Sequence, residues 1–157
     1  MMNRLIVLLP LSAVVACDEV TPLDDTGYGI TCTEIGCSDS FTGQFQPELD
    51  AQGEYVFTLD LDGALTTCSV SLPLVDEQSC GGVLQISRSG SALPASEHSI
   101  PGFTIFDTGF ASYTLTIELD GVELISWTES PEWEIIQPNG EGCEPICEVA
   151  SSTVVLP

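Results

Sequence analysis

The chain has 157 residues, with 24 Asp+Glu against 2 Lys+Arg, one His and 7 Cys, and a formal charge of −22. Phosphate binding needs clustered Lys and Arg, so this balance excludes nucleic acid as a partner, and with it docking on anionic headgroups through a basic face. A hydrophobic content of 43% and a mean hydropathy of +0.27 oppose disorder, and the length fits one folded domain.

Residues 1–16 read as a signal peptide rather than as fold. Arg4 supplies the positive start, and Leu5 to Val15 is a nearly unbroken apolar run, too short for the about 20 residues of a membrane-spanning helix. The segment Val14-Val15-Ala16-Cys17 resembles the bacterial lipobox. That resemblance implies diacylglycerol on the Cys17 sulfur, cleavage before Cys17 and acylation of its amine. Two or more acyl chains make a stable anchor, at about 0.8 kcal/mol per buried methylene. The alternative is an ordinary cleaved signal with Cys17 unpaired. Asp18 resembles an inner-membrane retention signal of enteric bacteria, but lineages differ, and the choice of membrane stays open. Residues 17–31, acidic and turn-rich, read as a tether, which leaves 32–157 as the folded domain.

Setting Cys17 aside leaves Cys32, Cys37, Cys68, Cys80, Cys143 and Cys147. Six is even, and an exported domain meets an oxidising compartment, so three disulfides are expected. The short separations favour local pairing: Cys32 with Cys37, Cys68 with Cys80, Cys143 with Cys147. Zinc is disfavoured because His98 is the sole histidine and no CxxC pair exists.

From Cys32 onward the pattern is one of strands. Phe41 to Gln46 comes first, and Tyr55 to Leu72 is the clearest element. There Asp62-Gly63 predicts a type I′ turn, because both central residues of that turn need positive φ. The turn would pair Leu61 with Ala64, Leu59 with Thr66 and Phe57 with Cys68. Tyr55, Phe57, Leu59, Leu61, Ala64, Cys68, Val70 and Leu72 then share the buried face. Val83 to Arg88 and Phe103 to Phe106 follow as strands. Residues Tyr113 to Pro131 align without gaps on Tyr55 to Pro73, at an offset of 58 residues, with Asp120-Gly121 as the second turn. Internal duplication and convergence on one hairpin pattern both fit. In this copy Tyr113, Leu115, Ile117, Leu119, Val122 and Leu124 should point inward, and Ser126 takes the place of Cys68. Trp133 to Gln137 and Thr153 to Leu156 complete the set. Seven to nine short strands predict an antiparallel β-sandwich of Ig-like architecture, stapled by disulfides.

Cys32-x4-Cys37, the Asp-Gly hairpin leading to Cys68, Leu72-Pro73 before Cys80, and Pro138 to Cys147 (PNGEGCEPIC) together resemble small cysteine-containing lipoproteins of myxobacteria. The resemblance covers roughly Cys32 to Ala150. It implies a lipid-anchored envelope protein and transfers no catalytic or binding residue.

Little catalytic chemistry is legible. No GxSxG elbow is present, lysine is absent, and His98 lies in a turn-like segment that reads as a surface loop. Among 24 acids, carboxylate pairs arise by chance, so a hydrolase with an acidic site is only a further alternative. Asp60 and Asp62, and likewise Glu118 and Asp120, place hard oxygen ligands at tight turns, which makes calcium the candidate metal and a calcium-stabilised adhesion module the alternative function. Glu118 should also face Glu123, where like charges repel. Ile125 and Trp127 fall on the outer face of the second hairpin, with Trp133 nearby. A neighbouring strand or sheet covers them, or they form a partner surface. The expected protein is a non-enzymatic, lipid-anchored, extracytoplasmic sandwich of the cell envelope, structural or binding an unknown protein or glycan, and needing no cofactor beyond the calcium alternative.

Overall fold

The computed structural model describes residues 32–75, 80 and 82–157; the signal peptide, Cys17 and the tether lie outside the described residues. Among the described residues nine strands form two sheets: β1 (Ser40–Leu49), β2 (Gly53–Leu61), β3 (Ala64–Leu72), β4 (Leu84–Ser89), β5 (Ser99–Ile105), β6 (Tyr113–Leu119), β7 (Val122–Glu129), β8 (Glu134–Ile136) and β9 (Cys147–Val155). One sheet runs β4-β5-β1-β9-β8 and the other β3-β2-β6-β7. This is the expected β-sandwich. Its one departure from antiparallel order is β1 beside β9, which run parallel with Phe41 opposite Ala150 and Phe45 opposite Val154.

Alternation along the strands builds the core. Phe41 and Phe45 of β1 point inward with Phe103 of β5, and Tyr55, Phe57, Leu59, Tyr113, Leu115 and Ile117 meet them from the other sheet. Aromatic contacts cross the interface, with the Phe41 and Tyr113 ring centres 4.9 Å apart and those of Phe45 and Phe57 6.4 Å apart. Such tilted and offset pairs stabilise beyond their area, by about 0.5–1.5 kcal/mol each. Gly43 is a packing requirement, because the Phe103 ring lies where its Cβ would be.

The first hairpin has the expected register, with Leu61 opposite Ala64, Leu59 opposite Thr66 and Phe57 opposite Cys68. Asp62 (φ 49°) and Gly63 (φ 93°) both take the left-handed conformation the turn demands. Only the tip departs from the expected burial: Ala64 is exposed and Leu61 half-buried.

The second hairpin differs by one residue. Glu118 faces Glu123 and Leu119 faces Val122, but Ile117 faces Ile125, so Leu124 is the extra residue of a β-bulge. Past the bulge every side chain of β7 changes sides relative to the gapless alignment. Trp127 therefore faces Leu115, and Ser126 faces Thr116 rather than occupying the place of Cys68. Val122, expected inward, is 66% exposed at the tip.

Candidate functional site

Two of the three disulfides are not local. Cys68 pairs with Cys80 as expected, but Cys32 bonds Cys143 and Cys37 bonds Cys147. The cause is the parallel β1–β9 ladder. Its register sets Ser40 beside Val149, so the chain leading into β1 runs alongside the chain leading into β9. Cα–Cα separations of 5.7 and 6.1 Å then suit a disulfide across the two segments. Asn139 ties the same region: its Oδ1 accepts from Ile35 N–H at 2.8 Å and its Nδ2 donates to Ile35 O at 3.0 Å. The entry of the domain is thus bonded covalently and by hydrogen bonds to the segment before β9.

The four candidate calcium ligands do not converge. Asp60 and Asp62 sit at the β2–β3 turn and Glu118 and Asp120 at the β6–β7 turn, at opposite ends of the antiparallel β2–β6 pair. Two of these carboxylates have local structural roles. Asp60 Oδ1 accepts from Gly63 N–H at 2.7 Å, and Asp120 Oδ1 accepts from Glu54 N–H at 2.9 Å. No group of three or more His, Cys, Asp or Glu side chains able to hold a metal exists among the described residues.

The two tryptophans belong to the rim of the core, not to an exposed patch. Trp127 is half-buried and meets Tyr113 edge-on at 5.8 Å, and Trp133 meets Phe110 edge-on at 5.2 Å. The bulge at Leu124 turns Trp127 inward.

His98 is not a surface histidine either; it is 8% exposed. Its Nδ1 accepts from Leu74 N–H at 2.9 Å, and its Nε2 lies 3.1 Å from Leu93 O, where the protonated nitrogen donates. Both ring nitrogens are therefore used in joining the chain after β3 to the turn before β5. Buried Tyr113 is a further polar group, its hydroxyl donating to Glu129 Oε2 at 3.2 Å. Burial, then the Glu129 charge, pushes its phenol well above the ordinary value. The Ser152 hydroxyl stands within electrostatic reach of that phenol, yet is buried without a well-formed hydrogen bond.

Several surfaces remain, among them a recess of about 550 Å³ lined by Leu74, Gln85, Ser87 and Arg88. An apolar cleft of about 210 Å³ opens where Leu49, Tyr55, Leu119, Leu124 and Leu156 converge. The outer face of the four-stranded sheet carries hydroxyls bonded to one another: Thr114 to Thr128 at 2.8 Å, Thr116 to Ser126 at 3.1 Å and Thr58 to Thr67 at 3.4 Å. The outer face of the five-stranded sheet holds a shallow depression of about 320 Å³ above Gly102, between Ser87 and Gln44. Sequence reasoning gave no sign of this last surface, because its lining comes from three separate segments, in β1, β4 and β5. Among the described residues no helix is long and apolar enough to cross a membrane. No protein-family model matches the chain, and neither a curated protein nor a solved structure is significantly similar to it.

Proposed function

We propose that this protein is a lipid-anchored module of the bacterial cell envelope, held on the extracytoplasmic side through Cys17, with a structural or ligand-binding role rather than a catalytic one. The observation that carries this reading is the pairing of all six domain cysteines. Such pairing belongs to an oxidising, extracytoplasmic compartment, and it leaves Cys17 as the one cysteine with another task. The lipobox-like sequence before Cys17 supplies that task. A non-catalytic role is supported by the use of the reactive groups: the cysteines are bonded and both nitrogens of His98 are committed to backbone.

Membrane fractionation of the wild-type chain and Cys17→Ala, with radiolabelled palmitate, tests the anchor. The wild type should take up label and sediment with membranes, and the variant should carry no label. Label retained by Cys17→Ala would refute the reading. One observation favours calcium as a stabiliser, the cross-strand pair Glu118 and Glu123. A rise in melting temperature with millimolar calcium, lost in Glu118→Gln, is the result that reading requires.

A further inference from the structure

The register of the five-stranded sheet assembles two rows of outward positions across four of its strands. Gln85, Thr104, Thr42 and Ser151 stand side by side across β4, β5, β1 and β9, and Ser87, Gly102, Gln44 and Thr153 form the next row. Rows on one face of a sheet lie about 7 Å apart, and neighbours within a row about 4.8 Å. All eight residues are uncharged, in a chain with 24 acids. The contrast with the other sheet is direct, where Glu54, Asp60, Glu118 and Glu123 stand on or beside the outer face. One carboxylate, Glu48, lines the depression, and it accepts a hydrogen bond from the Ser99 hydroxyl.

The polar side chains of these two rows are also uncommitted. On the four-stranded sheet the Thr and Ser hydroxyls satisfy each other, whereas no side chain in these two rows bonds another described residue. Gly102 keeps the centre low. A Cβ there would strike the Gly43 carbonyl, so the depression cannot be filled by a side chain without moving the sheet. The result is a recess floored by backbone and lined by the Gln44 amide, the Thr42 and Ser87 hydroxyls, Pro101 and the Glu48 carboxylate, with the Gln85 amide in the adjoining row.

We propose that this face binds a neutral glycan. Amides and hydroxyls both donate and accept, which matches the paired donor and acceptor character of sugar hydroxyls. The chain's charge opposes polyanions, and a single cation nearby, Arg88 on β4, falls short of the cluster that phosphate requires. A protein partner would call for the buried aromatic or arginine anchors that dominate such interfaces, and these rows contain none. The proposal deepens the envelope-module reading by naming a ligand class. Its test makes no use of membrane location, so either can fail alone.

The experiment is NMR titration of the purified protein with two uncharged oligosaccharides, cellohexaose and maltohexaose, and with hyaluronate as an anionic control. At least one neutral hexasaccharide should produce saturable shifts concentrated at Thr42, Gln44, Gln85, Thr104 and Thr153, and hyaluronate none. Gln44→Ala/Gln85→Ala changes two exposed side chains and should weaken binding at least tenfold with the rest of the spectrum unchanged. Thr58→Ala/Thr116→Ala, on the other sheet, should bind as wild type. No saturable binding of either neutral ligand at millimolar concentration would overturn the proposal. So would equal loss in the two double variants, or shifts centred on the four-stranded sheet or the apolar cleft.

Discussion

The two interleaved disulfides make a quantitative prediction. Cys32–Cys143 and Cys37–Cys147 span 111 and 110 residues. In the chain-entropy model, closing one loop of that length stabilises by about 4.7 kcal/mol. Either bridge alone closes the long loop. The second then closes only the small ring through Cys32–Cys37 and Cys143–Cys147, about ten residues, for about 2.7 kcal/mol. Deleting one bridge, as Cys32→Ser/Cys143→Ser or Cys37→Ser/Cys147→Ser, should therefore cost about 2.7 kcal/mol, and deleting both about 7.4 kcal/mol. The combined loss exceeds the sum of the single losses by about 2 kcal/mol, the signature of coupled sites. It is also comparable with the whole stability of many domains, about 5–15 kcal/mol, so the double deletion should sit near the unfolding threshold. Urea unfolding followed by the fluorescence of Trp127 and Trp133 measures all four proteins, and the slope should steepen as the denatured chain is released. Single deletions that each cost about 4.7 kcal/mol and add without coupling would refute the reasoning, because the bridges would then be acting on independent loops.

Three further outcomes follow from packing and charge. Trp127→Ala should destabilise by about 2 kcal/mol in thermal or urea unfolding, below the 3–5 of a fully buried aromatic; a change under about 0.5 kcal/mol would return Trp127 to an exposed face. Ser152→Ala removes a buried hydroxyl without a well-formed hydrogen bond and should raise stability by about 1 kcal/mol, whereas a loss would mean that the hydroxyl bonds Tyr113. Burial and Glu129 raise the Tyr113 phenol above its ordinary value of 10.0. The folded state thus holds that proton more tightly than the unfolded chain, so the associated stability is full below pH 10 and is lost as pH climbs beyond it. Stability should then fall at up to about 1.4 kcal/mol per pH unit for this group, and Tyr113→Phe should flatten the alkaline limb of a melting-temperature profile. An identical limb in the variant would assign the effect elsewhere.

Local chemistry was legible in the sequence, and long-range register was not. Asp62-Gly63 determines a turn type, the turn determines which residues face each other, and alternation does the rest, so the first hairpin could be read residue by residue. The second hairpin preserves the same letters, yet one bulged residue, Leu124, reverses the sides of Ile125 to Glu129; nothing in the pattern marks it. The disulfide crossing depends on a parallel pairing between segments more than 100 residues apart, which spacing between cysteines cannot reveal. His98 looked solvent-facing because its segment reads as a turn, but its two ring nitrogens bond the backbone of Leu74 and Leu93, brought in by the chain on either side of β4. The neutral rows were invisible for the same reason: Thr42, Gln85, Thr104 and Ser151 become neighbours only when four strands are set in order.

The parallel β1–β9 pairing has a mechanical consequence. Tension along the segment preceding the domain enters at Cys32, and the first bond it meets is covalent, to Cys143. Load then passes into the strand order through two sulfur bridges before it reaches any hydrogen bond of β1. Parallel neighbouring strands pulled from opposite ends shear all their hydrogen bonds at once, but a pull on one strand alone would unzip it from its end. The bridges at the shared start of β1 and β9 remove that end as a point of peeling. A protein held at one point against flow would resist detachment of its first strand without any increase in equilibrium stability from the sheet itself.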